Sequence, residues 1–177
     1  MKSILLFLSL LSISPILGQD ERRPFFLGVN PSVTVEPFYE KGEFDVNILP
    51  LVYQRPLTKM FDFRLISTLN LAVRNDGNGI SHMGLEAGFP IYLKAKENKT
   101  NSSKGFFLAP ILSLGRNHME QHNSLGLWIE PGYNLLFDND FAMSFGLQFG
   151  GTYFPHEGDQ AKWGNHFGVV IVIGKWL

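Results

Sequence analysis

Three residues in RNHMEQHNSLGLWIEPG, residues 116–132, are of the types that build an activated nucleophile: His122, Ser124 and Glu130. An imidazole takes the proton of a serine hydroxyl, and a carboxylate orients the imidazole. On a strand, where side chains alternate, His122 and Ser124 share one face and Glu130 keeps the same parity. Six residues at roughly 3.3 Å each separate Ser124 from Glu130 by about 20 Å, so the carboxylate does not reach the hydroxyl directly. His118 and His122 are four apart, a chelating spacing on a helix but not on a loop entering a strand. His156 and His166 flank a polar stretch with Glu157 and Asp159, a setting in which solvated histidines are common. None of these patterns implies a metal or a cofactor. The chain contains no cysteine, which excludes disulfides, thiolate chemistry, cysteine-ligated zinc and a lipid anchor on an N-terminal cysteine.

What positions these residues follows from length and patterning. The chain has 177 residues, 45% of them hydrophobic, and a formal charge of -1, which suits one domain and gives none of the basic surplus that a nucleic-acid binder needs. Lys2 precedes ILLFLSLLSISPILG and then polar QDERR, the order of charge, apolar core and small-residue cleavage site of a secretory signal peptide. Residues 1–18 are therefore expected to be removed after Gly18, leaving a short segment, 19–24, ahead of a domain spanning 25–177. Nothing after residue 18 has the length of apolar run that a transmembrane helix requires.

Beyond that point the chain repeats every two residues. Over 25–37 the odd positions Phe25, Leu27, Val29, Val33 and Val35 oppose Gly28, Asn30, Ser32, Thr34 and Glu36. Over 44–55, Phe44, Val46, Ile48, Pro50 and Val52 oppose Asp45, Asn47, Leu49, Leu51, Tyr53 and Arg55. Over 61–74, Phe61, Phe63, Leu65, Leu69, Leu71 and Val73 oppose Asp62, Arg64, Thr68, Asn70 and Arg74. Over 82–94, Met83, Leu85, Ala87, Phe89, Ile91 and Leu93 oppose His82, Gly84, Glu86, Gly88, Tyr92 and Lys94. Similar alternation marks 105–115, 125–137 and 141–153, and the closing HFGVVIVIGKWL is apolar on both faces. Turn-rich pieces such as NDGNG and KENKTNSSK separate these segments and leave no room for crossover helices. The expected fold is all-β: an eight-stranded antiparallel up-and-down barrel.

Charge placement bears on which face is inside. Glu36, Asp45, Arg55, Asp62, Arg64, Arg74, Glu86, Lys94 and Glu130 all fall opposite the bulky residues. Both signs occur, which suits pairing in a narrow lumen. The polar faces are rich in small residues that fit an eight-strand interior, and the apolar faces are long enough to meet a hydrocarbon band about 25 Å tall. Aromatic residues gather near strand ends, with Phe38, Tyr39, Tyr153 and Phe154 at one rim and Tyr53, Tyr92, Phe106, Phe137 and Trp176 at the other. These features predict a transmembrane barrel with its apolar face outward. The alternative is a soluble lipocalin-like binder with that face lining a cavity. Pro131, which has no N–H to give a neighbouring strand, predicts a bulge or ladder break eased by Gly132.

The leader, the eight strands, the GVVIVI stretch at 168–173 and the terminal KWL together resemble the small bacterial outer-membrane β-barrels of the OmpA/OmpX type. That resemblance implies residence in the bacterial outer membrane among lipids and lipopolysaccharide. It also implies insertion by the barrel assembly machinery through a signal formed here by Gly168, Ile171, Ile173, Trp176 and Leu177, with Trp176 penultimate. It places both termini in the periplasm, so that the connections 38–43, 75–81, 115–124 and 154–166 face outward. Those at 56–60, 95–104 and 138–140 then face the periplasm, where 95–104 is longer than a usual turn. The His122–Ser124 spacing also resembles that of the outer-membrane lipid A deacylases. Leu125, however, stands where that family has asparagine, Leu136 stands where its glutamate would fall, and the parity points inward, away from lipid. The function expected is non-enzymatic: a barrel whose filled interior stabilises the envelope or whose outer loops meet a partner. A deacylase-like hydrolase and a narrow channel are the remaining alternatives.

Overall fold

The computed structural model describes residues 25–34, 40–95, 102–119, 121–155 and 162–177. The expected signal peptide, the segment 19–24, Glu36, Phe38, Tyr39, His156, Glu157 and Asp159 lie outside these residues. Among the described residues there are eleven strands: β1 (Phe26–Val29), β2 (Val33–Thr34), β3 (Phe44–Asn47), β4 (Leu51–Pro56), β5 (Asp62–Val73), β6 (Gly79–Gly88), β7 (Ile91–Tyr92), β8 (Gly105–Asn117), β9 (His122–Leu136), β10 (Phe141–Phe154) and β11 (Lys162–Trp176). They form eight antiparallel staves, because β1 with β2, β3 with β4, and β6 with β7 are each one stave in two pieces. The breaks contain Pro31, Pro50 and Pro90, none of which has an N–H for the ladder. β1 pairs with β11, Phe26 opposite Trp176, and so closes the sheet on itself. Closure is finished by reciprocal hydrogen bonds between the main chains of Phe25 and Leu177, at 3.1 and 2.8 Å.

Both ends of the described chain, the turn at 57–60, the 93–104 connection and the turn at 137–140 share one end of the barrel, termed proximal. The turns at 40–43, 74–78 and 118–121 mark the distal end. The strands run farther distally than the periodicity predicts: β9 starts at His122 rather than residue 125, and β8 extends to Asn117.

One stave departs from strict alternation. Asn47 pairs with Asn70, whereas Val52 pairs with Ile66, so five steps on one stave match four on its neighbour. The extra residue is a bulge, which reverses the facing of everything after it. Asp45 and Asn47 point inward as expected, but from Leu51 onward the faces exchange. Val52 and Gln54 are buried, and Leu51 and Arg55 are exposed. Expected-interior Arg55 is therefore an outer-surface residue. A second shift between Asn70 and Leu71, facing Ser81, turns both Ser81 and His82 toward the interior. At Pro131 the register of β9 with β10 is unchanged, but no pairs form between Phe149–Ile129 and Gly146–Gly132, so the ladder is interrupted without a bulge.

The inside is not wholly polar. Phe26, Val52, Ile66, Val170, Val172 and Trp176 form one buried apolar cluster, and Tyr92, Phe107, Ala109, Ile111 and Trp128 another. Tyr92 and Trp176, expected at the rim, are thus lumen residues, with Trp176 packing on Phe26 at 5.5 Å. Outside, Leu27, Met83, Leu85, Leu114, Leu127, Ile129 and Val169 are exposed. Outward rings pair near the proximal rim, Phe25 with Tyr53 and Phe106 with Tyr133, and Tyr153 pairs with Trp163 toward the distal one.

Candidate functional site

The most connected cluster lies in the lumen between the two apolar clusters. Alternation on β5 sends Asp62 and Arg64 inward, and alternation on β9 does the same for Glu130; their exposures are 0%, 2% and 0%. Arg64 Nη1 meets Glu130 Oε1 at 2.8 Å, joining staves on opposite sides of the lumen. Arg64 Nε donates to Gln54 Oε1 at 3.0 Å. Gln54 Nε2 donates to Asp62 Oδ2 at 2.7 Å and to the Tyr92 hydroxyl at 3.1 Å. The other Glu130 oxygen accepts from Gln148 Nε2 at 3.0 Å, and Gln148 Oε1 lies 3.1 Å from His166 Nε2. The His166 ring is stacked on Trp128 with centroids 3.9 Å apart, while the Arg64 guanidinium sits 5.0 Å from the Phe107 ring centre. Charged groups removed from water demand such partners, since an unpaired ion in a low-dielectric interior is costly.

Glycine makes room for this layer at two places. A Cβ on Gly146 would lie 2.7 Å from Glu130 Cγ, and one on Gly126 would fall within bonding range of the Trp128 ring. Bare backbone on neighbouring staves therefore lets two large inward side chains lie flat against the wall.

At the proximal end Ser103 enters the lumen. Ser103 is fully buried; its hydroxyl donates to Asp62 Oδ2, and its carbonyl accepts from Asn134 Nδ2 at 2.5 Å.

A second charged group lies at the distal end. Arg74 Nη2 is 2.6 Å from Asp45 Oδ1 and Arg74 Nε is 3.9 Å from Glu43. Ser81 donates to Asp45 Oδ2 at 2.6 Å. The N–H of Asn75 donates to Glu43 at 3.1 Å and that of Glu40 at 3.0 Å, and these bonds, the first foremost, with help from Arg74, hold the Glu43 carboxyl below its ordinary range.

Of the charges assigned to the interior from sequence, Asp62, Arg64 and Glu130 meet in the central layer and Asp45 meets Arg74 distally. Glu86 faces inward beside the central layer, with Oε2 covered and without a hydrogen-bond partner. Lys94 does not belong inside: β7 ends at Tyr92, and Lys94 is exposed just beyond it. His122, Ser124 and Glu130 all face inward on β9, but Glu130 is taken by Arg64 and Gln148 far from the serine. Ser124 instead faces His82 across Gly115, where a Cβ would lie 2.4 Å from His82 Nε2 and 2.9 Å from Ser124 Oγ. Among the described residues, no three of His, Asp and Glu converge on a position that could hold a metal ion.

Gln54 and Ser103 are the members that sequence reasoning missed; it puts Tyr92 on the inward parity and names His166, but joins neither to this cluster. Gln54 was hidden by the bulge, and Ser103 lies in a connection with no periodicity. The expected assembly-signal residues divide by face: Ile171 and Leu177 are exposed, while Trp176 is buried in the lumen, so the outward series ends on Leu177. Comparison of the chain with protein-family models, curated proteins and solved structures yields no match to any of the three.

Proposed function

We propose that this chain is a bacterial outer-membrane barrel, non-enzymatic, that crosses the bilayer with its eight staves and displays its distal turns outside the cell. One observation carries the reading: the wall is inside out relative to a water-soluble protein. An ion pair and amide network fill the centre, while Leu, Ile, Val and Phe side chains stand exposed on the outside. In water that surface would be an apolar area far larger than soluble monomers tolerate. In hydrocarbon it is the favourable one, and closure leaves no unpaired sheet edge. A soluble binder needs the reverse arrangement, with apolar side chains around an internal cavity. The filled centre also argues against a conducting pore, as expected of an eight-strand lumen.

On this reading the outer wall meets lipids and lipopolysaccharide, and the outward series ending at Leu177 is presented to the barrel assembly machinery. The test is fractionation of cells expressing the full chain, followed by electrophoresis with and without boiling. Recovery only in detergent, with a band whose mobility changes on heating, is the expected result. A protein released with the soluble periplasmic fraction would refute the reading. Presentation of the distal turns predicts protease cleavage or antibody binding there on intact cells.

A further inference from the structure

Cations mark one edge of the outer wall. On four staves the outward apolar column gives way to a basic side chain at the proximal end. Arg55 follows Tyr53 by two residues on β4, Lys94 follows Leu93 just beyond β7, Lys104 precedes Phe106 by two ahead of β8, and Lys175 follows Ile173 by two on β11. All four are exposed, and none forms an ion pair among the described residues. Two residues of strand span about 7 Å, so Arg55 and Lys104 stand just past the outward rings of the proximal rim, where Phe25 stacks on Tyr53 and Phe106 meets Tyr133 edge-on. The proximal acids Asp138 and Asp140 are confined to the turn between β9 and β10. The rest of that rim, from β11 through β1, β4, β5 and β7 to β8, carries no acidic side chain on its outer face among the described residues, and Lys59 in the turn after β4 adds to its charge. The distal end differs. Its outward columns run out into Asn123 on β9, Asn165 on β11 and Arg116 on β8, and its turns carry Glu40 and Asp76 beside Lys41.

We infer that the proximal rim selects the headgroups of net-negative phospholipids in the leaflet it meets; the inference rests on the membrane reading above. Contact with lipid tails selects nothing, because the apolar wall offers every tail the same dispersion. Selection among headgroups needs charge, and Arg55, Lys94, Lys104 and Lys175 supply it. A long basic side chain at the end of an apolar band lays its stem along that band and puts its charge in the headgroup layer. Basic groups at that depth are drawn to anionic leaflets. The phosphate of phosphatidylglycerol has no ammonium of its own, and these four cations have no carboxylate partner on the protein, so each side supplies what the other lacks. A guanidinium takes a phosphate through paired N–H donors and an ammonium takes it as a point charge. A zwitterionic headgroup brings its own cation to the same place and gains less. A second copy of the barrel facing this arc with its own would bring like charges together.

The experiment uses the full chain folded into vesicles of phosphatidylethanolamine and phosphatidylglycerol in equal parts, released gently and weighed by native mass spectrometry. The expected result is that the lipids retained on the barrel are mostly phosphatidylglycerol. A variant carrying Arg55→Gln, Lys94→Gln, Lys104→Gln and Lys175→Gln loses that enrichment and retains the two lipids in equal measure. Arg116→Gln, which removes an outward cation from the distal end, keeps it. If the fourfold variant does not insert, Lys94→Gln combined with Lys104→Gln carries the test through a partial loss. A parent barrel that inserts but retains both lipids equally or holds a second barrel instead, a fourfold variant as enriched as the parent, or a loss of enrichment in Arg116→Gln overturns the inference while the membrane reading stands. Failure of the parent to insert into any of these vesicles removes both.

Discussion

Replacing Glu130 by alanine tests whether the central layer is a dry, matched cluster. The change removes the 2.8 Å contact with Arg64 and the 3.0 Å bond from Gln148. Arg64, only 2% exposed, is left with its Nε bond to Gln54 and its position over Phe107. Breaking a buried pair in this way costs about 3–5 kcal/mol, because a charge remains in low dielectric without its counterion. The same guanidinium in water would lose roughly 1 kcal/mol at most, the value of an exposed pair. Arg64→Met combined with Glu130→Leu removes both charges and fills their space, and buried pairs replaced by apolar residues of similar volume are often neutral or better. The double variant is therefore expected to recover most of what either single change loses. The assay is equilibrium urea unfolding in detergent micelles, followed by tryptophan fluorescence and by the heat-sensitive electrophoretic shift. A loss near that of a surface pair in Glu130→Ala, or a double variant no more stable than the worse single, would show that the lumen is wet or the pairing absent.

Further expectations follow from the same geometry. Gly146→Ala drives a methyl into Glu130 and should cost about 1–3 kcal/mol as overpacking; the loss should shrink in a Glu130→Ala background, a coupling that a double-mutant cycle reads directly. Arg55→Ala should change stability by no more than about 0.5 kcal/mol, since Arg55 is exposed on the outer surface, and a loss comparable to that of Arg64→Ala would contradict the bulge. Pro131→Ala supplies the N–H that β10 lacks opposite it, so hydrogen exchange should find the new amide at 131 protected; rapid exchange there would mean that the break has another cause. Glu43 has a lowered folded-state pKa, so its contribution is present above the ordinary carboxylate value and is lost as pH falls through the lower folded value. The stability gap between the parent and Glu43→Gln should accordingly be open at neutral pH and close on acidification, and a gap independent of pH would refute this account.

The barrel is legible in the sequence wherever alternation is uninterrupted. On β5 and β9 the parity of Asp62, Arg64 and Glu130 follows from counting by two, and the structure buries all three. Counting fails at Arg55 because one inserted residue near Pro50 inverts the stave, and no composition signal marks the insertion beyond the proline itself. It fails again for the doubly apolar β11, where Val170 and Val172 are interior and Val169 and Ile171 exterior, a choice that follows the pairing with β10, Val170 opposite Gly146 and Val172 opposite Ser144, rather than the local pattern. The partner of Glu130 was beyond reach for a different reason. Arg64 lies 66 residues away, and which inward charges oppose one another depends on the stagger of the closed sheet. Ser103 illustrates the third limit, since a serine in a polar connection carries no period that could point it into the lumen.

The interior contacts also determine which pairing of the staves is tolerated. Sliding one stave by a single residue exchanges its two faces. Applied to β9, such a slip would carry Glu130 to the outer face of the wall and bring Ile129 against the Arg64 guanidinium, stranding two charges at once. The doubly apolar β11 has no comparable guard, because its two faces differ little in polarity over 169–173. Its alignment is held instead at its ends, by His166 meeting Gln148 at 3.1 Å and by Trp176 packing on Phe26. The charged pair is in this sense an alignment key: a barrel closed one residue out of step would still be a barrel, but the key would be on the wrong side of its wall.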